Sequence, residues 1–118
     1  MRKLIVLAAV ALIAALSIQA FAAEKSILFV NSVNQEIKRI HLAPAGTTEW
    51  GPNLLEKYKL HPGKNVRIAV PHDRGNCKWD LKYVVVDKLA YTIKDVDICQ
   101  AREIELFLKD KQAWANIK

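Results

Sequence analysis

Short apolar runs recur along the chain after residue 23 and limit what it can fold into. They are separated by residues typical of turns, and no stretch keeps a helical apolar period beyond two turns. The predicted strands are residues 26–31, 37–42, 66–70, 77–86, 90–98 and 103–109. This pattern predicts an all-β chain, folded as a small two-layer antiparallel β-sandwich of about six or seven strands with one short helix and one disulfide.

The helix is predicted for residues 53–59. Asn53 is a candidate N-cap there, and Glu56 stands at the third helical position. Residues 26–30 are apolar on both alternations, which is typical of a central strand. Residues 66–70 alternate, which predicts a strand with one face in water.

The N-terminus has the pattern of an export signal. Arg2 and Lys3 precede an uncharged run over residues 4–23, and residues 20–22 form a small-x-small cleavage site. We therefore predict a signal peptide over residues 1–22 and no stable membrane insertion after its removal. The alternative is an uncleaved anchor, because about 20 apolar residues can span a bilayer; polar residues near the end of the run argue against it.

Residues 23–118 are predicted to form one domain. Loss of Arg2 and Lys3 lowers the count of Lys and Arg from 18 to 16, against 12 Asp and Glu, which leaves a net charge of +4. These charges are spread along the chain and interleaved in sign, whereas nucleic-acid binders cluster their cations on one face, so no nucleic-acid partner is predicted. Residues 112–118 are either a loose tail or a strap whose Trp114 indole covers a sheet edge.

Cys77 and Cys99 are the only cysteines, and in an exported protein an even pair predicts a disulfide. Strand register supports this pairing independently. A three-residue hairpin loop would place Val86 opposite Ala90, and the same register brings the two sulfur atoms opposite each other. The register also places aspartates on the apolar face, which a β-bulge near residues 95–97 would relieve.

Histidines and acidic residues form no complete metal or catalytic motif in the sequence. His41, His61 and His72 lack the spacing that places two ligands on one helix or strand face, so no metal and no cofactor is predicted. One enzymatic alternative stays open. It is a metal-dependent or hydrolytic site that uses Asp80, Asp97 and His72.

The segment from Trp50 to Leu55 is unusually apolar for a loop. In one interpretation Trp50, Leu54 and Leu55 close one open end of the sandwich. In the other, Trp50, Gly51 and Asn53 form an exposed binding loop for a sugar or peptide.

Four short motifs occur in a fixed order: Trp50-Gly51-x-Asn53-Leu54-Leu55, Pro62-Gly63, Cys77-x-Trp79-Asp80-Leu81 and Asp97-Ile98-Cys99. The set resembles a group of small exported bacterial proteins of unknown function. The resemblance implies an extracytoplasmic β domain with paired cysteines and no established activity, and it carries over Trp50, Gly51, Asp80 and Asp97 as motif positions. Pro52-Asn53 replaces the acidic pair that is usual in the group, which weakens any calcium-binding interpretation.

These observations predict a non-enzymatic binding or interaction domain of the bacterial envelope, periplasmic or secreted. Its partner would be an envelope protein or a glycan. A further alternative is an accessory protein whose basic surface contacts anionic envelope polymers, with a strength that salt would reduce.

Overall fold

The computed structural model describes residues 24–71 and 75–118, within which the chain forms seven strands and no helix. No helix in this part of the chain is long and apolar enough to cross a membrane. The predicted signal peptide, residues 1–22, and His72 lie outside the described residues. The strands are β1 (Glu24–Asn31), β2 (Ile37–Pro44), β3 (Asn65–Pro71), β4 (Lys78–Val85), β5 (Ala90–Asp97), β6 (Glu103–Lys109) and β7 (Gln112–Ile117).

The strands form two sheets. One has the order β3-β1-β6-β7 and the other has the order β2-β4-β5. β1 and β6 run parallel, with Leu28 opposite Glu103, whereas the other ladders are antiparallel. The prediction of a wholly antiparallel fold is therefore wrong for this pair. After β5 the chain crosses from the three-stranded sheet to the four-stranded sheet. There β6 pairs with β1, which is distant in sequence, so no hairpin connects the two strands and they can run parallel.

One hydrophobic core includes buried side chains from both sheets. The four-stranded sheet contributes Ile27, Phe29, Ile104 and Leu106, among others, and the three-stranded sheet contributes Ile40, Leu81, Tyr83 and Val85. The Tyr83 hydroxyl donates to the Phe107 carbonyl oxygen of the other sheet at 3.0 Å. Burial, with a smaller contribution from Tyr91, raises the pKa of Tyr83. This hydrogen bond links the two sheets inside the core.

The burial of β1 and β3 follows their sequence patterns. β1 lies between β3 and β6, so the prediction of a central strand is confirmed. β3 is an edge strand in which Ile68 and Val70 are buried and Arg67 and Ala69 are exposed. The strict alternation of the β3 sequence therefore identifies a strand with one face in water, as predicted.

Residues 53–59 contain a turn and not the predicted helix. Asn53 starts this turn, because its Oδ1 accepts the backbone N–H two residues further on, at 3.1 Å. Glu56 then has a φ of 55°, a left-handed conformation that ends a helical path. The Leu54 N–H donates to the Ile40 carbonyl oxygen of β2 at 2.8 Å. The Leu54 N–H has no partner inside a helix that begins there, so this bond fixes the turn against β2, and the left-handed Glu56 ends the helical path.

The β4–β5 hairpin has a different register from the predicted one. Val84 faces Ala90, and not Val86. The Val86 N–H donates to the Glu36 carbonyl oxygen at 3.1 Å, which draws Val86 out of the ladder and into the turn. The predicted bulge is present, because the ladder shifts register where Asp95 has a φ of 58°.

Cys77 and Cys99 form the predicted disulfide, which joins the start of β4 to the end of β5 across 22 residues of sequence. The Lys25 ammonium of β1 donates to two carbonyl oxygens at the disulfide, those of Ile98 at 3.1 Å and Cys99 at 2.6 Å. The disulfide-bonded turn of one sheet is therefore attached to the central strand of the other.

The C-terminal segment is strand β7, at the edge of the four-stranded sheet and against β5. Asp110 and Lys111, with φ of 52° and 67°, form the two-residue turn that precedes it. The rings of Phe107 and Trp114 stack across the β6–β7 ladder, with centroids 5.2 Å apart. Such cross-strand aromatic pairs stabilise a hairpin.

Candidate functional site

The segment from Trp50 to Leu60 covers the outer edge of β2. The Gly51 N–H donates to the Leu42 carbonyl oxygen at 2.9 Å, and Leu60 exchanges two backbone hydrogen bonds with Ile37. An uncovered edge strand presents unpaired backbone groups that recruit other chains. This part of the Trp50 motif therefore closes an edge of the three-stranded sheet.

Asn53 fixes that segment with its side chain. Its Oδ1 accepts the N–H groups of Ile40 and Leu55, both at 3.1 Å, and its Nδ2 donates to the Glu56 carbonyl oxygen at 3.0 Å. Leu55 is buried in the core, and Leu54 packs against it. Asn53 and the two leucines thus serve the fold.

Trp50 lies outside the core, against the outer face of the three-stranded sheet. The Lys82 Nζ of β4 is 4.6 Å from the centroid of the indole ring, within the range of a cation–π contact. His41 of β2 faces Lys82 across the ladder, and its Nδ1 lies 2.8 Å from the Gly51 carbonyl oxygen. Because a carbonyl oxygen only accepts, Nδ1 carries the proton and Nε2 is left for another partner.

We expect Asn53→Ala to lower the free energy of unfolding by about 2 kcal/mol, because two backbone N–H groups and one carbonyl lose their partner. Trp50→Ala should cost about 1 kcal/mol or less, since the ring lies outside the core and both it and its contact Lys82 are only half-buried. Chemical denaturation of both variants checks the order. A larger loss for Trp50→Ala would show that the ring supports the fold.

A groove of about 380 Å³ lies on the same outer face as Trp50, and we call it the basic groove. Its lining residues are Lys38, Arg39, His41, Lys82, Val84 and Lys88. The lysines and the arginine are charged at neutral pH, and no acidic side chain lines the groove. The basic groove therefore presents four positive charges and one imidazole over an apolar floor.

Strand pairing gathers these residues. Arg39 faces Val84 and His41 faces Lys82 in the β2–β4 ladder, with their side chains on the outer face. The residues between them point into the core. A shift of register just before Arg39 brings Lys38 to the same groove.

The cations of the basic groove have no acidic partner among residues 24–71 and 75–118. The ion pairs in this part of the chain, Lys78–Asp97 and Lys118–Glu103, lie elsewhere, as does the 3.5 Å contact between His61 Nδ1 and a carboxylate oxygen of Glu36. A concave surface lined by charges of one sign concentrates the electrostatic potential and attracts counter-ions. The arrangement is suited to an anion.

Asp80 is 5% exposed and holds two irregular parts of the backbone. Its Oδ2 accepts the Gly46 N–H at 3.2 Å, and its Oδ1 accepts the Asp95 N–H at 3.1 Å. Gly46 lies in the turn after β2, and Asp95 lies in the β5 bulge. Both carboxylate oxygens therefore connect the two edges of the three-stranded sheet through β4.

Asp97 also has local partners. Its Oδ1 accepts the Gln100 N–H at 3.1 Å, and its Oδ2 lies 3.8 Å from the Lys78 ammonium. In the described part of the chain, the one group of three metal-ligand side chains is Cys77, Asp97 and Cys99, whose ligand atoms lie within 4.8 Å of one another. In the disulfide the sulfur atoms are not thiolates, so this group does not provide a zinc site.

The sequence identified Trp50 and its neighbours but missed most of the basic groove. In the sequence His41 is only a candidate metal ligand, and the lysines and Arg39 belong to charges that are spread along the chain and interleaved in sign. The signal that identifies the groove is the pairing of β2 with β4. These strands are separated by β3 in the chain, and no local pattern predicts that they are neighbours.

No protein-family model matches the sequence, and no curated protein is significantly similar to it. Among solved structures, the chain is similar to a protein from Eubacterium rectale determined by NMR, with a TM-score of 0.50 and 11% sequence identity. The alignment covers 81% of this chain and 89% of that chain. At this identity the similarity shows a shared fold and gives no information about activity.

Proposed function

We propose that this protein is an exported, non-enzymatic binding domain that holds an anionic polymer of the bacterial envelope in the basic groove. The observation that carries the proposal is the lining of that groove, which has four cations, one histidine and no carboxylate. The proposal joins two functions predicted from the sequence, a glycan-binding domain and an accessory contact to anionic polymers.

The chemistry of the lining favours carboxylate, phosphate or sulfate groups. Arg39 offers a planar fork of donors for two oxygens of one group, and the lysine ammonium groups act as point charges beside it. The indole of Trp50 adds an amphipathic surface next to Lys82. A polymer with repeated negative charges would neutralise several of these cations together.

An extracytoplasmic location favours an envelope polymer over a nucleic acid as the ligand. A disulfide is consistent with an oxidising, extracytoplasmic environment. The N-terminal pattern predicts export to the periplasm or the exterior, and the resemblance to small exported bacterial proteins points the same way. Anionic glycans and phosphate-containing polymers are abundant there.

We further propose that the two sheets pack as a β-sandwich, with the basic groove on the outer face of one layer. The shared core and the Tyr83–Phe107 hydrogen bond support this architecture. Five of the six lining residues belong to paired strands. A site on strands is held in place before binding, which lowers the entropic cost of association.

The test is calorimetric titration of the purified protein with polygalacturonate, with neutral dextran as a negative control. We expect binding of the anionic polymer alone, weakened by added salt because the contacts are exposed. The double variant Arg39→Gln/Lys88→Gln should lose about tenfold or more in affinity, since tenfold corresponds to roughly 1.4 kcal/mol and two charge-assisted contacts are removed.

The matched control is Lys109→Gln/Lys111→Gln, which removes two exposed cations from the β6–β7 hairpin. This control should bind within about twofold of the unmodified protein. Equal losses in both double variants would show attraction to net charge and contradict the proposal. Tighter binding of a single-stranded oligonucleotide than of polygalacturonate would also overturn it.

A further inference from the structure

The outer edge of β3 differs from the other sheet edges in the described part of the chain. The edge of β2 is covered by the segment from Trp50 to Leu60, and β5 and β7 lie against each other. β3 pairs with β1 on one side, and no strand within residues 24–71 and 75–118 pairs with its other side. Its outer backbone groups are therefore available to another chain.

The hydrogen-bond pattern identifies these outer groups. The Asn31 N–H of β1 donates to the Lys64 carbonyl oxygen at 2.9 Å, just before β3 begins. Because bonded and non-bonded pairs alternate in an antiparallel ladder, the next residues that bond β1 are Val66 and Ile68. The outward N–H and C=O groups belong to Asn65, Arg67 and Ala69, and no backbone group of the described residues bonds to them.

A second groove, of about 250 Å³, lies beside this edge. The residues that line it are Val66, Arg67, Ile68 and Ala69 of β3 and Leu54, Leu55, Glu56 and Tyr58 of the turn that follows Trp50. Tyr58 is 47% exposed, a large value for an aromatic side chain. The open strand edge thus has a recess next to it that combines apolar side chains with the charged Glu56 and Arg67.

We propose that the edge of β3 accepts an extended segment of a partner protein, which adds as a further strand and places alternate apolar side chains in this recess. In strand addition the backbone hydrogen bonds supply affinity, and the pockets for alternate side chains supply specificity. This site is separate from the basic groove, which lies on the other sheet.

The positive charge around the edge of β3 favours an acidic partner segment. A residue opposite Arg67 on the added strand shares the outer face with the guanidinium group, so an acidic residue fits there. Its two neighbours share the less exposed face of the sheet with Val66 and Ile68, so apolar residues fit there. Around the edge, Lys57, Lys59 and Lys64 are exposed, whereas Glu56 is the one acidic residue of the recess. A second copy of this chain would bring the same cations together, which argues for an acidic partner.

The test is an NMR titration of the purified, ¹⁵N-labelled protein with the blocked peptide Thr-Val-Glu-Val-Thr. We expect saturable shifts of the amide signals of Asn65, Arg67 and Ala69. The peptide Thr-Val-Lys-Val-Thr should bind about fivefold more weakly, because it places a lysine opposite Arg67. No shifts at β3 with either peptide at millimolar concentration would overturn the proposal.

Two variants separate strand addition from general attraction. Ala69→Pro removes an outward N–H and leaves the β1 ladder intact, so we expect peptide binding to be lost while the fold persists. Arg67→Glu should reverse the preference between the two peptides. An unchanged preference in Arg67→Glu, or dimerisation through the same amides without peptide, would overturn the proposal in favour of another occupant.

Discussion

Reduction of the Cys77–Cys99 disulfide is expected to lower the melting temperature by roughly 12 to 24 °C. The bond closes a loop of 22 residues in sequence, and the chain-entropy model assigns about 3 kcal/mol to a loop of that length. In a domain of this size each kcal/mol shifts the melting temperature by about 4 to 8 °C. Calorimetry with and without a reductant measures the effect.

The double variant Cys77→Ser/Cys99→Ser provides the control for reduction. It should melt near the temperature of the reduced protein and should not respond to the reductant. Reduction should also weaken the contact between the two sheets, because the Lys25 ammonium of β1 binds the carbonyl oxygens of Ile98 and Cys99 in this turn. An unchanged melting temperature in reductant would show that the disulfide does not support the fold.

Asp80→Ala is expected to lower the free energy of unfolding by about 3 kcal/mol, because two backbone N–H groups lose a charged acceptor in a buried site. The turn at Gly46 and the bulge at Asp95 would lose their common partner. The free energy of unfolding of Asp80→Asn should lie between those of the unmodified protein and Asp80→Ala, since one amide oxygen replaces two carboxylate oxygens. Denaturant unfolding of the three proteins gives the order.

Asp97→Ala is the matched control for Asp80→Ala. Asp97 is more exposed, and it accepts one backbone hydrogen bond together with a long ion pair, so the expected loss is about 1 kcal/mol or less. The enzymatic alternative predicts another result. If Asp80→Ala kept the full stability and abolished a hydrolytic activity, the structural role of Asp80 would be wrong.

Local patterns in the sequence predicted the parts of the fold that depend on local burial. The apolar run of β1 identified a central strand, and the alternation of β3 identified a strand with one face in water. The strained register around Asp95 predicted a bulge, which is present. The pairing of Cys77 with Cys99 followed from an even number of cysteines in a chain with an export pattern, although the hairpin register that supported it is wrong.

The incorrect predictions depend on contacts between distant segments. Asn53 begins a turn as a cap would, but Glu56 adopts a left-handed conformation, and hydrogen bonds to Ile40 hold the turn against β2. The parallel pairing of β1 with β6 and the displaced Val86 also arise from segments far apart in sequence. β7 follows a turn made by Asp110 and Lys111, which lacks the glycine that usually indicates such a turn.

The candidate site also depends on contacts between segments that are distant in sequence. Trp50 was identified because an aromatic residue in a loop needs an explanation, whereas Lys38, Arg39 and Lys88 are ordinary surface residues when each is considered alone. They become a site because β2 and β4 pair and place them around Val84. Charge counted along a chain therefore underestimates charge gathered by a sheet.

The most direct test of the proposed function is an NMR titration of the ¹⁵N-labelled protein with short galacturonate oligomers. Binding in the basic groove should shift the backbone amides of Arg39, His41 and Lys82 together with the indole N–H of Trp50, and the signals of the four-stranded sheet should stay in place. Shifts confined to the four-stranded sheet, or no shifts with any anionic oligomer, would contradict the assignment of the basic groove as the binding site.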